Sequence, residues 1–435
     1  MNTSRNLLAL SAALAFAASA VMAQTPSAQD LANTHPAGLD LAGIDRAVQP
    51  GDDMFRYANG HWLATTQIPP DRSSWGVGAE LTELTNRRVQ ALIQTAAKAA
   101  PATEARKIGD YYSSYLDEAK IESLGLTPLR PTLIRIGAIQ DRKGLSAEFG
   151  RELRADVDAL NSTNFYTDHL FGLWVEQDLN NPKRYAPYLL QGGLGMPDRD
   201  FYVSPSPRME KIRVAYKAHI AKVLELAGHK DAKGEAQAIY ELELKIAQAH
   251  APRAESEDVL KANNPWGRAD FARKAPGLDW TAFFTAAGLS QRPQFIVWHP
   301  KATAGESALV ASQPLATWKA YLTYLQLNHY SGVLPKAFAD ERFAFYGTVL
   351  SGTPQQQARW KRAVNSTNDA LGMAVGKLYV AKYFPPESKA KVQAMVDDLI
   401  AAFRVRIENL DWMAPATKKE AERKLSTLKV GVGYP

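Results

Sequence analysis

A chain of 435 residues, 46% of them hydrophobic, is long enough to bury one large core or two to three smaller ones. Its 51 lysines and arginines against 45 acids leave a net charge of +6, too small an excess at this length to mark a nucleic-acid binder. Cysteine is absent, which excludes disulfides, thiolate metal sites, a cysteine nucleophile and a lipid-modified N-terminal cysteine.

The first 23 residues read as a secretory signal peptide. Met1 to Arg5 is a short positive start, Leu7 to Val21 is apolar and alanine-rich, and Val21-Met22-Ala23 places a cleavage site before Gln24. Residues 24–43, with Pro26, Ser27, Pro36 and Gly38, predict a mobile leader. From Ile44 onward no second linker, tandem repeat or low-complexity block interrupts the chain, and no later run is long and apolar enough for a transmembrane anchor.

The remaining pattern is mostly helical. Leu81, Leu84, Leu92 and Ile93 fall on one face, as do Ile239, Leu242 and Ile246. Between them, Gln191-Gly192-Gly193-Leu194-Gly195-Met196-Pro197-Asp198 is dense in glycine and predicts irregular backbone. It is no phosphate loop, because Asp198 stands where a third glycine is wanted and no Gly-Lys-Ser/Thr follows. Gln294 to Trp298, bounded by Pro293 and Pro300, predicts a short strand. Val392, Met395, Val396, Leu399, Ile400, Phe403, Ile407 and Leu410 form one apolar stripe, which predicts a helix of some five turns. Pro385-Pro386 would start it, with Ser388 as candidate cap. Thr417-Lys418-Lys419-Glu420 has capping-box spacing. The fold class is therefore mainly α with minor β.

Few residues point to chemistry. The eight histidines are His35, His61, His169, His219, His229, His250, His299 and His329; none precedes a glutamate and no two are four apart. The H-E-x-x-H zinc helix, which needs two imidazoles on one helical face beside a general base, is absent. His250, His61 and His299 are the histidines to watch for convergence in space. Adjacent Asp397 and Asp398 diverge by about 100° on a helix and predict a solvated face. Ser113, Ser114 and Ser331 have no readable base and orienter. The sequons at Asn161 and Asn365 mean little if the host is bacterial.

Several short elements, in order, resemble the N-terminal region of neprilysin-like zinc endopeptidases, the M13 family. They are Asp52-Asp53-Met54-Phe55-Arg56-Tyr57-Ala58-Asn59-Gly60-His61-Trp62 with Ile68-Pro69, then Gly193 to Tyr202, then Glu243-Leu244-Lys245-Ile246-Ala247. Asn264-Pro265, Asp279-Trp280, Phe345-Tyr346-Gly347, Arg359-Trp360, Gly376 to Tyr379 and Tyr383-Phe384-Pro385 follow, and Asp411-Trp412-Met413, Thr417 to Ala421 and Gly433-Tyr434-Pro435 close the series. The absence of cysteine makes the bacterial branch the nearer resemblance.

The resemblance implies the N-terminal half of a two-lobed, mostly helical fold around a large central cavity. Residues 44–435 would supply the capping lobe and part of the catalytic lobe. In the complete family enzyme zinc is held by two histidines and a glutamate in the C-terminal half, so no catalytic or metal-binding residue and no cofactor is expected in this chain. In neprilysin, an arginine shortly after the opening Ile-Pro holds the free carboxylate of short peptides, with a second arginine further on. The same spacing puts Ser74 and Thr82 at those positions, and Arg72 is the nearby guanidinium. Substrate-binding residues therefore stay unassigned. The expectation is an exported, periplasmic or secreted, N-terminal portion of a zinc metalloendopeptidase, truncated and inactive alone. The alternatives are a stand-alone peptide- or partner-binding protein and one half of a split peptidase. Its expected partners are peptides and a separate C-terminal half.

Overall fold

The computed structural model describes residues 40–153 and 167–434. The signal peptide, most of the 24–43 leader and the Asn161 sequon lie outside them. Helices dominate, with one four-stranded sheet. The chain divides into two compact units. One holds the described residues up to Ile68, Ser74–Gln94 and Val375 onward; the other holds Pro69–Ser73 and Thr95–Ala374.

The larger unit carries a core dominated by aromatic rings. Trp318, Tyr216, Tyr321, Tyr324, Phe271 and Phe283 are among its fully buried side chains. Phe284 stacks on Phe295 at 4.5 Å between centroids, and Phe271 meets Trp280 at 4.7 Å. Rings of this size bring the largest apolar area per residue into the core. A chain without disulfides has such burial as its main source of stability.

Its sheet has the order β1-β2-β4-β3. β1 (Phe171–Asp178) and β2 (Asn181–Gln191) make an antiparallel hairpin, pairing Phe171 with Gln191. β2 runs parallel to β4 (Gln294–Val297) through Tyr188–Ile296 and Leu189–Val297. β3 (Pro265–Gly267) closes the far edge, antiparallel to β4. The 294–298 strand is where the sequence puts it. The hairpin is not legible in advance, because Pro182, Lys183, Arg184 and Pro187 interrupt any strand signal in β2.

The smaller unit includes the helix Met54–Thr65, whose N-cap Asp53 accepts the Arg56 N–H, and the helix Pro386–Glu408. Arg88 stacks over Tyr383 at 4.6 Å and donates to the Tyr379 hydroxyl. Tyr434 lies under Lys389, whose ammonium is 3.8 Å from the ring centroid and also donates to the Tyr434 carbonyl. Two cap expectations fail. The helix Pro386–Glu408 is capped at Pro385 with no side-chain bond, so Ser388 lies inside it. The helix Pro415–Ser426 begins after Ala414, which puts Thr417 in its first turn; Glu420 pairs with Arg423 instead. In both, a proline at the first helical position sets the start, and the N-cap residues Pro385 and Ala414 have no side-chain acceptor for the N–H groups that follow.

The stripe on Pro386–Glu408 forms as expected, but no residue of that helix is fully buried by the described residues. Met395, Leu399 and Phe403 are 56%, 53% and 59% exposed, while Ile246 on the larger unit's stripe is 0% exposed. We expect Ile246→Ala to cost about 2–5 kcal/mol in urea unfolding. Leu399→Ser and Phe403→Ser should each change stability by less than about 0.5 kcal/mol. Comparable losses at all three sites would show that the stripe is packed within the chain.

Candidate functional site

The hairpin delivers the glycine stretch to one side of a cleft in the larger unit. After Gln191 the chain leaves the sheet, and its carbonyls, with no ladder to join, turn to side chains from three separate segments. His250, capping the helix Ala232–Ala249, holds the Gly192 carbonyl through Nε2 at 3.0 Å. Tyr321, in the helix Leu315–Tyr330, donates its hydroxyl to the Gly193 carbonyl at 2.8 Å. Tyr346, in the π-helical turn Phe343–Leu350, donates to the Gly195 carbonyl at 2.9 Å.

These approaches leave no room for side chains. A Cβ at residue 192 would meet the His169 carbonyl at 2.3 Å, and one at 195 would meet the Tyr216 hydroxyl at 1.9 Å. Gly193 also sits at φ +85°, a left-handed conformation that glycine adopts without strain. The stretch is thus irregular, as its composition predicts, and its glycines permit close packing.

Behind it lies a directed network ending on a buried carboxyl. The Met196 N–H donates to the Tyr202 hydroxyl, which donates to Glu243 Oε2 at 2.8 Å. Tyr324 donates to the Tyr216 hydroxyl, which donates to Glu243 Oε1 at 3.1 Å. Desolvation pushes the Glu243 carboxyl up to about 8, outweighing the two phenol donations that favour its charged form. A second branch continues to the cleft. His219 Nε2 meets Asn328 Oδ1 at 3.2 Å, the Asn328 amide donates to the Tyr346 hydroxyl at 3.0 Å, and Tyr346 holds Gly195.

The cleft itself encloses about 930 Å³. Most of its charges are already answered. Asp168 accepts from His329 at 3.1 Å, Arg253 pairs with Glu257 at 3.1 Å, and Arg199 lies 3.8 Å from Asp200. A second hollow of about 540 Å³ beside the hairpin holds Arg184, which is committed to Asp178 at 2.7 Å.

Ser256, which lines the cleft, and the buried His299 behind it look like a nucleophile and its base, with Oγ to Nε2 at 2.9 Å. The hydrogen-bond directions rule this out. His299 Nδ1 accepts the Gln191 N–H at 3.1 Å, so the neutral ring carries its proton on Nε2 and donates to serine. Burial, with His250 nearby, pulls the His299 pKa down to about 3 and keeps the ring neutral. A base must accept the serine proton, and this nitrogen has no lone pair to do so.

Of the three histidines singled out from sequence, His250 and His299 stand together in this unit and His61 belongs to the other. Both buried rings hold backbone. Among the described residues no three histidine, aspartate or glutamate side chains gather as a metal site. Asp397 and Asp398 are exposed, as predicted. Arg72 does not line the cleft, and Ser74 and Thr82 lie in the smaller unit. Glu243 was missed, although it lies four residues after Ile239 and three before Ile246. A carboxylate in mid-stripe is the signal that would have found it.

The architecture, a helical unit wrapped on a small sheet with a glycine-lined cleft, has clear relatives. A family model described as peptidase family M13 matches residues 50–435. The chain belongs to peptidase family M13. It is 26% identical to neprilysin-3 of Drosophila melanogaster over 412 residues, covering 91% of this chain and 52% of that protein. Against human endothelin-converting enzyme 1 it is 25% identical, covering 91% and 51%. A zinc metalloprotease of Mycobacterium tuberculosis, solved with an inhibitor, is 34% identical with TM-score 0.81, covering 89% of this chain and 58% of that one. The PepO structure from Lactobacillus rhamnosis, at 22% identity and TM-score 0.75, shares the fold, covering 89% and 60%. The chain thus spans about half the length of the curated relatives it matches.

Two outcomes follow from the clamp. Gly195→Ala should cost about 1–3 kcal/mol in urea unfolding through overpacking against Tyr216. Because folding raises the Glu243 pKa from 4.5 to about 8, its stabilisation is full below 4.5 and is lost as pH rises through about 8. Glu243→Gln removes that titration, so the wild type should lose stability relative to it from about pH 5 to about pH 9. Parallel pH curves would refute the assignment.

Proposed function

We propose that this chain is the N-terminal portion of an exported neprilysin-like zinc metalloendopeptidase, forming part of a peptide-binding enclosure while zinc chemistry resides in polypeptide outside it. One observation carries this reading: the family match runs from residue 50 to 435, yet the chain spans only 52% of neprilysin-3 and 51% of endothelin-converting enzyme 1. Two findings support it. The sequence has no H-E-x-x-H pair, and the cleft histidines are spent on backbone, serine and carboxylate partners. The signal-like start fits export to a periplasm, and among the described residues no helix is long and apolar enough to cross a membrane.

The apolar stripe on Pro386–Glu408 favours a second polypeptide as a working partner over a self-sufficient binding protein. An exposed row of Met395, Leu399 and Phe403 is the kind of surface that another chain or segment covers. The test is direct. With added zinc, the purified chain should show no chelator-sensitive cleavage of fluorogenic peptides. Zinc-dependent turnover abolished by chelation, and restored by metal, would overturn the assignment of chemistry to a separate part.

A further inference from the structure

Among the charged side chains lining the 930 Å³ cleft, Asp198, Arg342 and Asp369 make no ion pair with a described residue. His329 answers Asp168, Arg253 answers Glu257, and Arg199 lies by Asp200. Asp198 spends one oxygen on the Asp200 N–H at 2.8 Å. Arg342 is left without a carboxylate partner among the described residues. Its guanidinium lies 4.8 Å from the ring centroid of Tyr346, whose hydroxyl is fixed between Asn328 and Gly195. Asp369, on the helix Arg359–Tyr383, lines the same cleft and makes no hydrogen bond or ion pair with any described residue. No ion pair joins Arg342 to Asp369 either.

A planar cation stacked on a fixed ring is pre-organised for a bidentate anion such as a carboxylate. A carboxylate with both oxygens uncommitted suits an ammonium group. We propose that the cleft binds the two free ends of one short peptide, its terminal carboxylate at Arg342 and its terminal ammonium at Asp369. The volume lies within the ~300–1,000 Å³ usual for small-ligand sites. Because each residue adds about 3.3–3.6 Å of reach, a peptide held at both charges must match the span between them, which selects peptide length. This assignment rests on the reading that the cleft takes peptides, and it names which peptides.

Calorimetric titration of the full chain with alanine peptides of two to five residues tests it, since their side chains add almost nothing to binding. Each length is compared unblocked, N-acetylated, C-terminally amidated and blocked at both ends. One length should bind best unblocked, and blocking either end should weaken it about tenfold or more. Arg342→Gln should erase the difference between acid and amide, and Asp369→Asn the difference between free and acetylated amine. Both variants should unfold at the wild-type temperature and bind the doubly blocked peptide as wild type does. Equal binding of all four forms overturns the two charge anchors and leaves peptide binding standing. No binding of any form overturns both.

Discussion

The larger unit depends on how the backbone after Gln191 satisfies its polar groups once it leaves the sheet. Buried carbonyls without partners are costly, and this stretch has no strand or helix to answer them. Three side chains do so, one each from the segments carrying His250, Tyr321 and Tyr346. Those segments are fixed relative to one another because each must reach the same few residues of backbone. Glycine at 192, 193 and 195 lets them come that close.

The clamp also explains why a carboxyl sits among aromatic rings. Tyr202 and Tyr216 are already acceptors, from the Met196 N–H and the Tyr324 hydroxyl, so each has a proton to place. Glu243 takes both, and an apolar residue there would strand two buried hydroxyls. The elevated carboxyl pKa follows from its surroundings, and Glu243, Tyr202, Tyr216 and Tyr324 are not among the residues that line the cleft. Perturbed titration here marks architecture, a reminder that structural networks shift pKa values as readily as active sites do.

The family and the helical class were legible from sequence because the recognisable elements are short, ordered and rich in residues with fixed packing roles. What the sequence left hidden is that several of them meet. Gly193 to Tyr202, Glu243 and Tyr346 are spread over some 150 positions and converge on one network, which no periodicity reveals. The hairpin escaped notice for the opposite reason: local signals at Pro182 and Pro187 argue against a strand, and pairing with Phe171–Asp178 overrides them. The stripe on Pro386–Glu408 was read correctly as a helix, and its periodicity alone gave no sign of whether a partner within this chain covers it.

The same hydrogen-bond reasoning that dismisses Ser256–His299 as a catalytic pair gives the cleft its character. Each polar group whose partners can be followed is already directed: His299 Nδ1 toward backbone, His250 toward Gly192 and Glu306, Tyr346 toward Gly195. Groups so committed hold shape but cannot exchange protons with a substrate without breaking a buried bond. A cleft built this way is suited to recognition, where rigidity limits the entropy lost on binding. Arg342 and Asp369 differ because neither has an ion-pair partner among the described residues. Their uncompensated charges therefore remain available to a ligand, which is why recognition should concentrate at those two positions.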